Sequence, residues 1–353
     1  MSASQPTTAT SKRYHAAVHS RDDAKGWARR VILSFWNTAK GWVRCVMLSL
    51  ILAEKILSLF VMMAMGFALV KAGFVKPQDS RAISMLNLYV INPCMIISSF
   101  QVDMTQEVRL GFLVAVIGAL STQGLFLVLT TVFKKPLKLD EVEQASLTYS
   151  NCGNLIIPLV VMIMGQDMVI YCTAYLVVQT ILLWSHGKSL MRGVRGIDWR
   201  QVLLGVNMIS VYIGLFLFIT GLRLPEPVQL AMSSVGSMIG PSAMIVTGMI
   251  MAGVNFRELL SFKRLPFTAI MRLIVLPLIG LAILKFTPLA SLAPNGENVL
   301  LITLLAASAP SASTINQMAQ IYNRNASYAS AINVVTILCC IVTMPLMVFL
   351  YQL

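Results

Sequence analysis

A chain of 353 residues that is 57% hydrophobic and only 12% charged carries about half the charge of a soluble domain. A mean hydropathy of +0.77 is more apolar surface than one globular core of this size can hide, so lipid must be the solvent for much of the chain. The net charge of +13 is not a nucleic-acid signature, because the cations sit in short connections between apolar runs, where they set topology instead.

Residues 1–46 stand apart from the rest. The stretch Ser2–Ser11 is polar and lacks the apolar content to fold. From Ala24 to Val46, Trp27, Val31, Ile32, Phe35, Trp36, Trp42 and Val43 alternate with Lys25, Arg29, Arg30, Lys40 and Arg44. That pattern predicts a basic amphipathic helix lying on an anionic membrane surface. It is too short and too charged to span, and it lacks the clean apolar core and cleavage site of a signal peptide.

Ten apolar runs follow, approximately Leu50–Val70, Ala82–Phe100, Leu110–Phe133, Val142–Gly165, Met168–Gly187, Val202–Leu222, Val228–Gly253, Leu265–Phe286, Val299–Tyr322 and Tyr328–Leu350. Each has the length of a bilayer-spanning helix, so the fold class is an all-α membrane protein with ten transmembrane helices and the lipid bilayer as its surroundings. The 22 methionines are scattered and read as adaptable filling between helices. Five of the six cysteines, Cys94, Cys152, Cys172, Cys339 and Cys340, fall within apolar runs, and none makes a CxxC pair with another or with Cys45. Neither a disulfide framework, a metal site nor a cofactor is indicated.

Orientation follows from the connections. The odd-numbered ones hold Lys71, Lys76, Arg81, Lys134, Lys135, Lys138, Lys188, Arg192, Arg195, Arg200, Arg257, Lys263, Arg264 and Arg324, against Arg109, Arg223 and Lys285 in the even-numbered ones. The bias places the odd connections in the cytoplasm and both ends of the ten-helix core outside a cell membrane. The head, with eight Lys and Arg residues of its own, prefers the opposite side, a conflict that disappears if translation begins at Met47.

Proline landmarks recur five runs apart. Pro93 in the second run is matched by Pro241 in the seventh, and Pro158 in the fourth by Pro310 in the ninth, at nearly equal separations. Five is odd, so the second half enters the membrane from the other side, as in the inverted-topology repeats of transporters. The alternative is coincidence, since proline is common in membrane helices. The repeat divides the chain into a basic head, 1–46, a first five-helix repeat, 47–196, and a second, 197–353.

Two runs are too polar for lipid. The fourth contains Thr148-Tyr149-Ser150-Asn151-Cys152-Gly153-Asn154 before Pro158, and the ninth contains Ser308-Ala309-Pro310-Ser311-Ala312-Ser313-Thr314-Ile315-Asn316-Gln317. Unpaired backbone groups in hydrocarbon cost several kcal/mol, so both helices are expected to break against each other or around water. The exposed N-terminal ends of the half-helices, with Asn151, Asn154, Ser311, Ser313, Asn316 and Gln317 beside them, would suit a carboxylate substrate. The bland alternative is that these side chains only join helices.

These motifs carry a resemblance. The pattern N-x-G-N-x-x-x-P at Asn151–Pro158 resembles the fourth-helix motif of the auxin efflux carrier family, and Asn92-Pro93 resembles its second helix. Ala309-Pro310 followed by Ala319 and Tyr322 is similar to the ninth-helix motif, and Thr343-Met344-Pro345-Leu346 to the last helix. The resemblance covers Met47 to Leu353. It implies ten helices in two inverted five-helix repeats, with the fourth and ninth broken at prolines and crossing at the substrate site. Pro158 and Pro310 would then be the crossover, with Asn151, Asn154 and Asn316 near the substrate. Helices 1, 2, 6 and 7 would form a scaffold, also the expected surface of a homodimer, while helices 3–5 and 8–10 move like an elevator. The family carries small organic anions: auxin in plants, and dicarboxylates such as malate or malonate in bacteria. The short basic connection near Met191–Arg200 resembles prokaryotic members. Asn207-Met208 stands where Asn-Pro is commoner.

Arg272 lies well inside the eighth run, and two roles are open to it: attracting an anion or holding a helix carbonyl. Glu54 and Lys55 are expected to snorkel to the interface, and His186 to be interfacial. No Asp or Glu falls in the middle of any run, so no coupling carboxylate is offered and facilitated or potential-driven anion movement is expected. No nucleophile–base pair or phosphate-binding loop suggests an enzyme. The rival reading is a membrane sensor that binds a ligand in the same pocket. A channel is disfavoured, because opposed broken helices form a midplane site rather than a continuous pore.

Overall fold

The structure is a computed structural model, described over residues 50–103, 105–193, 199–254 and 261–353, with the backbone alone for residues 201 and 202. The basic amphipathic segment 1–46 and Met47 lie outside the described residues, as do the loop cations Arg195 and Arg257.

Lipid offers the backbone no partners, so continuous apolar runs satisfy their own N–H and C=O groups by coiling. The main helices, in chain order, are α1 (Leu50–Lys71), α2 (Pro77–Ser99), α3 (Gln106–Val132), α4 (Glu141–Thr148), α5 (Cys152–Met164), α6 (Gln166–Arg192), α7 (Val206–Thr220), α8 (Glu226–Ala252), α9 (Leu265–Phe286), α10 (Gly296–Ser308), α11 (Ser313–Ile321) and α12 (Ala326–Gln352). Seven of them, α1, α2, α3, α6, α8, α9 and α12, are long and apolar enough to cross a membrane, and α5, α7 and α10 are shorter apolar helices. The fourth expected run is thus two helices, α4 and α5, and the ninth is α10 and α11.

Local chemistry explains where several helices start and stop. Thr105 caps α3 by accepting from the Val108 N–H at 3.2 Å. Asp140 and Glu143 form a capping box at the start of α4, in which the Asp140 carboxylate accepts from the Glu143 N–H at 2.7 Å. The end of α7 is set by Gly221, whose φ of +69° suits glycine.

Helix faces divide between neighbours and lipid. Only 28% of the apolar window of α1 is buried, and Leu50, Leu57, Val61, Met65 and Leu69 are exposed along it. Such a face is stable only against hydrocarbon or another apolar surface. The buried side of α1 meets α8 at two glycines. A Cβ on Gly66 would stand 2.1 Å from the Ile245 carbonyl oxygen, and one on Gly248 would stand 1.8 Å from that of Met63. Without side chains there, the two backbones approach closely enough for dispersion to join them. Helix α2 packs against α7 and α8, and α3 against α6 and α10. Phe100, Phe112 and Phe218 bring the end of α2 together with α3 and α7, their ring centroids 6.1–6.5 Å apart.

Candidate functional site

Both broken runs unwind over a few residues, and the two unwound stretches meet. Between α4 and α5, Tyr149 is extended (φ −106°, ψ 132°), and between α10 and α11 so are Ala309 (φ −61°, ψ 155°) and Ala312 (φ −65°, ψ 127°). Ser150 and Ser311 face each other in an isolated antiparallel bridge. The Asn151 N–H donates to the Pro310 carbonyl at 2.8 Å, and the Ala312 N–H to the Tyr149 carbonyl at 3.1 Å. Each segment supplies what the other lost by unwinding.

Side chains from the neighbouring helices hold the bridge from both sides. Gln179 of α6 accepts from the Ser150 N–H (3.0 Å) and hydroxyl (2.6 Å) and donates to the Ser150 carbonyl (2.7 Å). Gln123 of α3 donates to Gln179 at 3.0 Å and to the Tyr175 hydroxyl at 2.6 Å. Across the bridge, the Ser311 N–H donates to the Thr336 hydroxyl (3.2 Å), and Asn333 donates to the Ser311 carbonyl (2.7 Å), both from α12.

Four helix ends therefore meet here, and they are treated differently. The C-terminal ends of α4 and α10 are sealed by Arg272 of α9. Its Nη1 donates to the Leu147 carbonyl (2.9 Å), its Nη2 to those of Ala307 (3.1 Å) and Ala309 (2.8 Å), and its Nε to Ala309 (3.1 Å). The side chain is fully buried and its guanidinium carbon lies 5.9 Å from the Phe126 ring centroid. It stands on a π turn, Met271–Val275, a local widening often found at functional positions. Of the two roles the sequence left open, holding carbonyls is the contact observed. The N-terminal ends of α5 and α11 carry no side-chain cap, so their first N–H groups and positive dipole ends remain available.

The residues singled out in the sequence distribute around this point. Asn151 and Ser311 are buried within the bridge. Asn154 and Ser313 are half-buried, and the Asn154 amide lies 3.5 Å from the Ser313 hydroxyl. Asn316 is half-buried and Gln317, a little further along α11, is exposed. Two buried oxygens, Ser311 Oγ and Asn316 Oδ1, have no hydrogen-bond partner, which in a membrane interior asks for water or a ligand.

Pro310 is part of the bridge, but Pro158 is not at the break. The chain unwinds at Tyr149–Asn151, and Pro158 lies inside α5, at the start of its regular segment after a π turn over Cys152–Ile156. Proline is tolerated in the first turn of a helix, so it does not force a break there. Its ring packs on α8, where a Cβ on Gly240 would stand 2.9 Å from the Pro158 Cβ.

Sequence reasoning missed Gln123, Gln179, Asn333 and Thr336, whose signal was a polar side chain in the middle of the third, fifth and tenth runs. It also passed over Glu143, at the first turn of the fourth run and 1% exposed. Its carboxylate accepts from Arg264 Nε (2.7 Å) and Nη2 (3.1 Å) and from the Tyr328 hydroxyl (2.9 Å), tying α4 to α9 and α12. That hydrogen bond holds the Arg264 pKa above its ordinary value, so the cation persists at any working pH. The nearby Tyr149 hydroxyl reaches the Leu182 carbonyl (3.0 Å) and His186 Nδ1 (2.9 Å), while Glu54 and Lys55 pair at 3.2 Å near the end of α1.

The sequence model of a family described as membrane transport protein matches residues 51–198 and again residues 188–348. No curated protein matches the chain.

Proposed function

This chain belongs to the membrane transport protein family of auxin efflux carriers, and from that premise we propose that it moves a small organic anion, a carboxylate or dicarboxylate, by alternating access. The observation that carries the reading is the polarity of the four helix ends. Both negative ends are sealed by Arg272, and both positive ends stand uncapped beside the unpartnered hydroxyl of Ser311. Uncapped N-termini in a low-dielectric interior favour an anion, and the amides of Asn154 and Asn316 can donate to its oxygens.

On this reading the ten spans form two inverted five-helix repeats. Support comes from equivalence across the bridge: Ser150 of span four is held by an amide of the next span, Gln179, and Ser311 of span nine by an amide of the next span, Asn333. Helices α1, α2, α7 and α8 form the scaffold, and the remaining helices carry the site past it as an elevator. The contact of Gly240 on Pro158 supports this, since a backbone facing a rigid apolar ring offers little to hold two bodies together. The odd connections face the cytoplasm of a cell membrane, as the distribution of Lys and Arg supports.

Purified protein in vesicles should take up labelled malonate, and Asn154→Leu should weaken its binding by at least about tenfold without changing the elution profile or the unfolding midpoint. Undiminished binding and uptake by that variant would remove the substrate from this place. Ligand binding by the unsubstituted protein with no net uptake would favour a sensor over a carrier.

A further inference from the structure

Resting on the carrier reading above, we infer that Arg272 is a positioning residue that sets the sign of the charge the crossover accepts, acting through the helix ends without touching the substrate. The crossover gathers two helix C-termini, of α4 and α10, and two N-termini, of α5 and α11. A helix end carries roughly half an elementary charge, negative at the C-terminus and positive at the N-terminus. Four such ends in one place largely cancel and give a site with little preference between anion and neutral ligand. Arg272 breaks the balance. Its donors go to the Leu147, Ala307 and Ala309 carbonyls, which are the negative ends alone, and it brings a full positive charge to do so.

That charge is not returned by an acid. Among the described residues no carboxylate lies within ion-pair distance of Arg272. The buried carboxylate Glu143 is taken by Arg264, the residue just before α9. The positive ends of α5 and α11 are therefore left in excess, with the Ser311 hydroxyl, which can donate to an anion, unpartnered beside them. An uncompensated buried cation is costly unless something answers it, and a substrate anion would.

Arginine suits the task better than lysine. A planar guanidinium reaches three carbonyls at once and does not lose its proton, whereas an ammonium has fewer directions and can.

The test compares malonate with its neutral isostere malonamide in vesicles holding the full chain, with Arg272→Gln and Arg272→Lys. Arg272→Gln should lower malonate uptake by at least about tenfold more than it lowers malonamide uptake. A merely structural role lowers both alike, and that result would overturn the inference. Arg272→Lys should keep the preference for malonate near neutral pH and lose it as the solution becomes alkaline, while the unsubstituted protein shows no such slope. If Arg272→Gln does not fold, this pH profile decides the matter, and a flat profile in the lysine variant rejects the inference. If the unsubstituted protein takes up neither compound nor any other small carboxylate, the carrier reading fails and this inference with it. Malonate uptake that survives Arg272→Gln would refute the inference and leave the carrier reading standing.

Discussion

Ser150 is held at the crossover by one side chain, Gln179, which meets its N–H, its carbonyl and its hydroxyl together. The geometry follows from what a carboxamide is: one oxygen that accepts repeatedly beside one nitrogen that donates. A hydrophobic residue of similar size fills the space and satisfies none of the three groups. Gln179→Leu should therefore strand the N–H and carbonyl of Ser150, each unmet buried group costing about 1–3 kcal/mol, while the Gln123 amide keeps the Tyr175 hydroxyl. Polar contacts between membrane helices average nearer ~0.6 kcal/mol, so a total loss of about 2 kcal/mol is expected. Thermal unfolding in detergent should show it as a midpoint several degrees lower, and an unchanged midpoint would mean that the bridge stands without this clamp. These clamps were only partly legible. The Asn and Ser residues of the fourth and ninth runs were conspicuous because they cluster, whereas Gln123, Gln179, Asn333 and Thr336 are dispersed among apolar residues. Which backbone group a lone midspan amide serves depends on a helix distant in sequence, and no local pattern encodes it.

At the scale of helices, the apolar runs placed nearly every element, because lipid leaves a continuous apolar segment one way to pair its backbone. The breaks were harder to place. The ninth run opens over Ala309–Ala312, which includes Pro310, whereas the fourth opens at Tyr149–Asn151 and carries Pro158 inside α5. A proline marks where a donor is missing. A break goes where two stretches of the chain can exchange bonds, and that requires Ser150 to lie opposite Ser311. The crossing of α1 and α8 follows a similar rule, in that Gly66 and Gly248 matter for what faces them. Gly248→Val would place side-chain atoms in the Met63 backbone and force the helices apart, with a loss of about 3 kcal/mol or more. Gly124→Ala, in α3 with nothing within 4 Å of the added Cβ, should be neutral. Detergent-extracted yield and unfolding midpoint of the two variants measure the difference, and equal behaviour would show that α1 and α8 adjust freely.

For the whole molecule, the proposed motion requires that α2 and α6 belong to different bodies, and a buried hydroxyl pair lies between them. Ser99 Oγ at the end of α2 and Thr173 Oγ1 in α6 are 3.3 Å apart. One such bond between neutral groups holds the bodies by about 1 kcal/mol at most, little enough to be broken in every cycle. A covalent link at the same place would not break. Cysteine sulfurs replacing these two oxygens would start close to disulfide reach, so Ser99→Cys with Thr173→Cys should cross-link under mild oxidation. If the bodies slide past one another, the cross-linked protein should keep binding substrate, lose uptake to background, and regain it on reduction. Each single variant, and the unsubstituted chain with its own Cys172 beside Thr173, should transport normally under the same oxidant. Uptake at the full rate by the cross-linked protein would mean that α2 and α6 travel together, and the division between a fixed scaffold and a moving site would have to be drawn elsewhere.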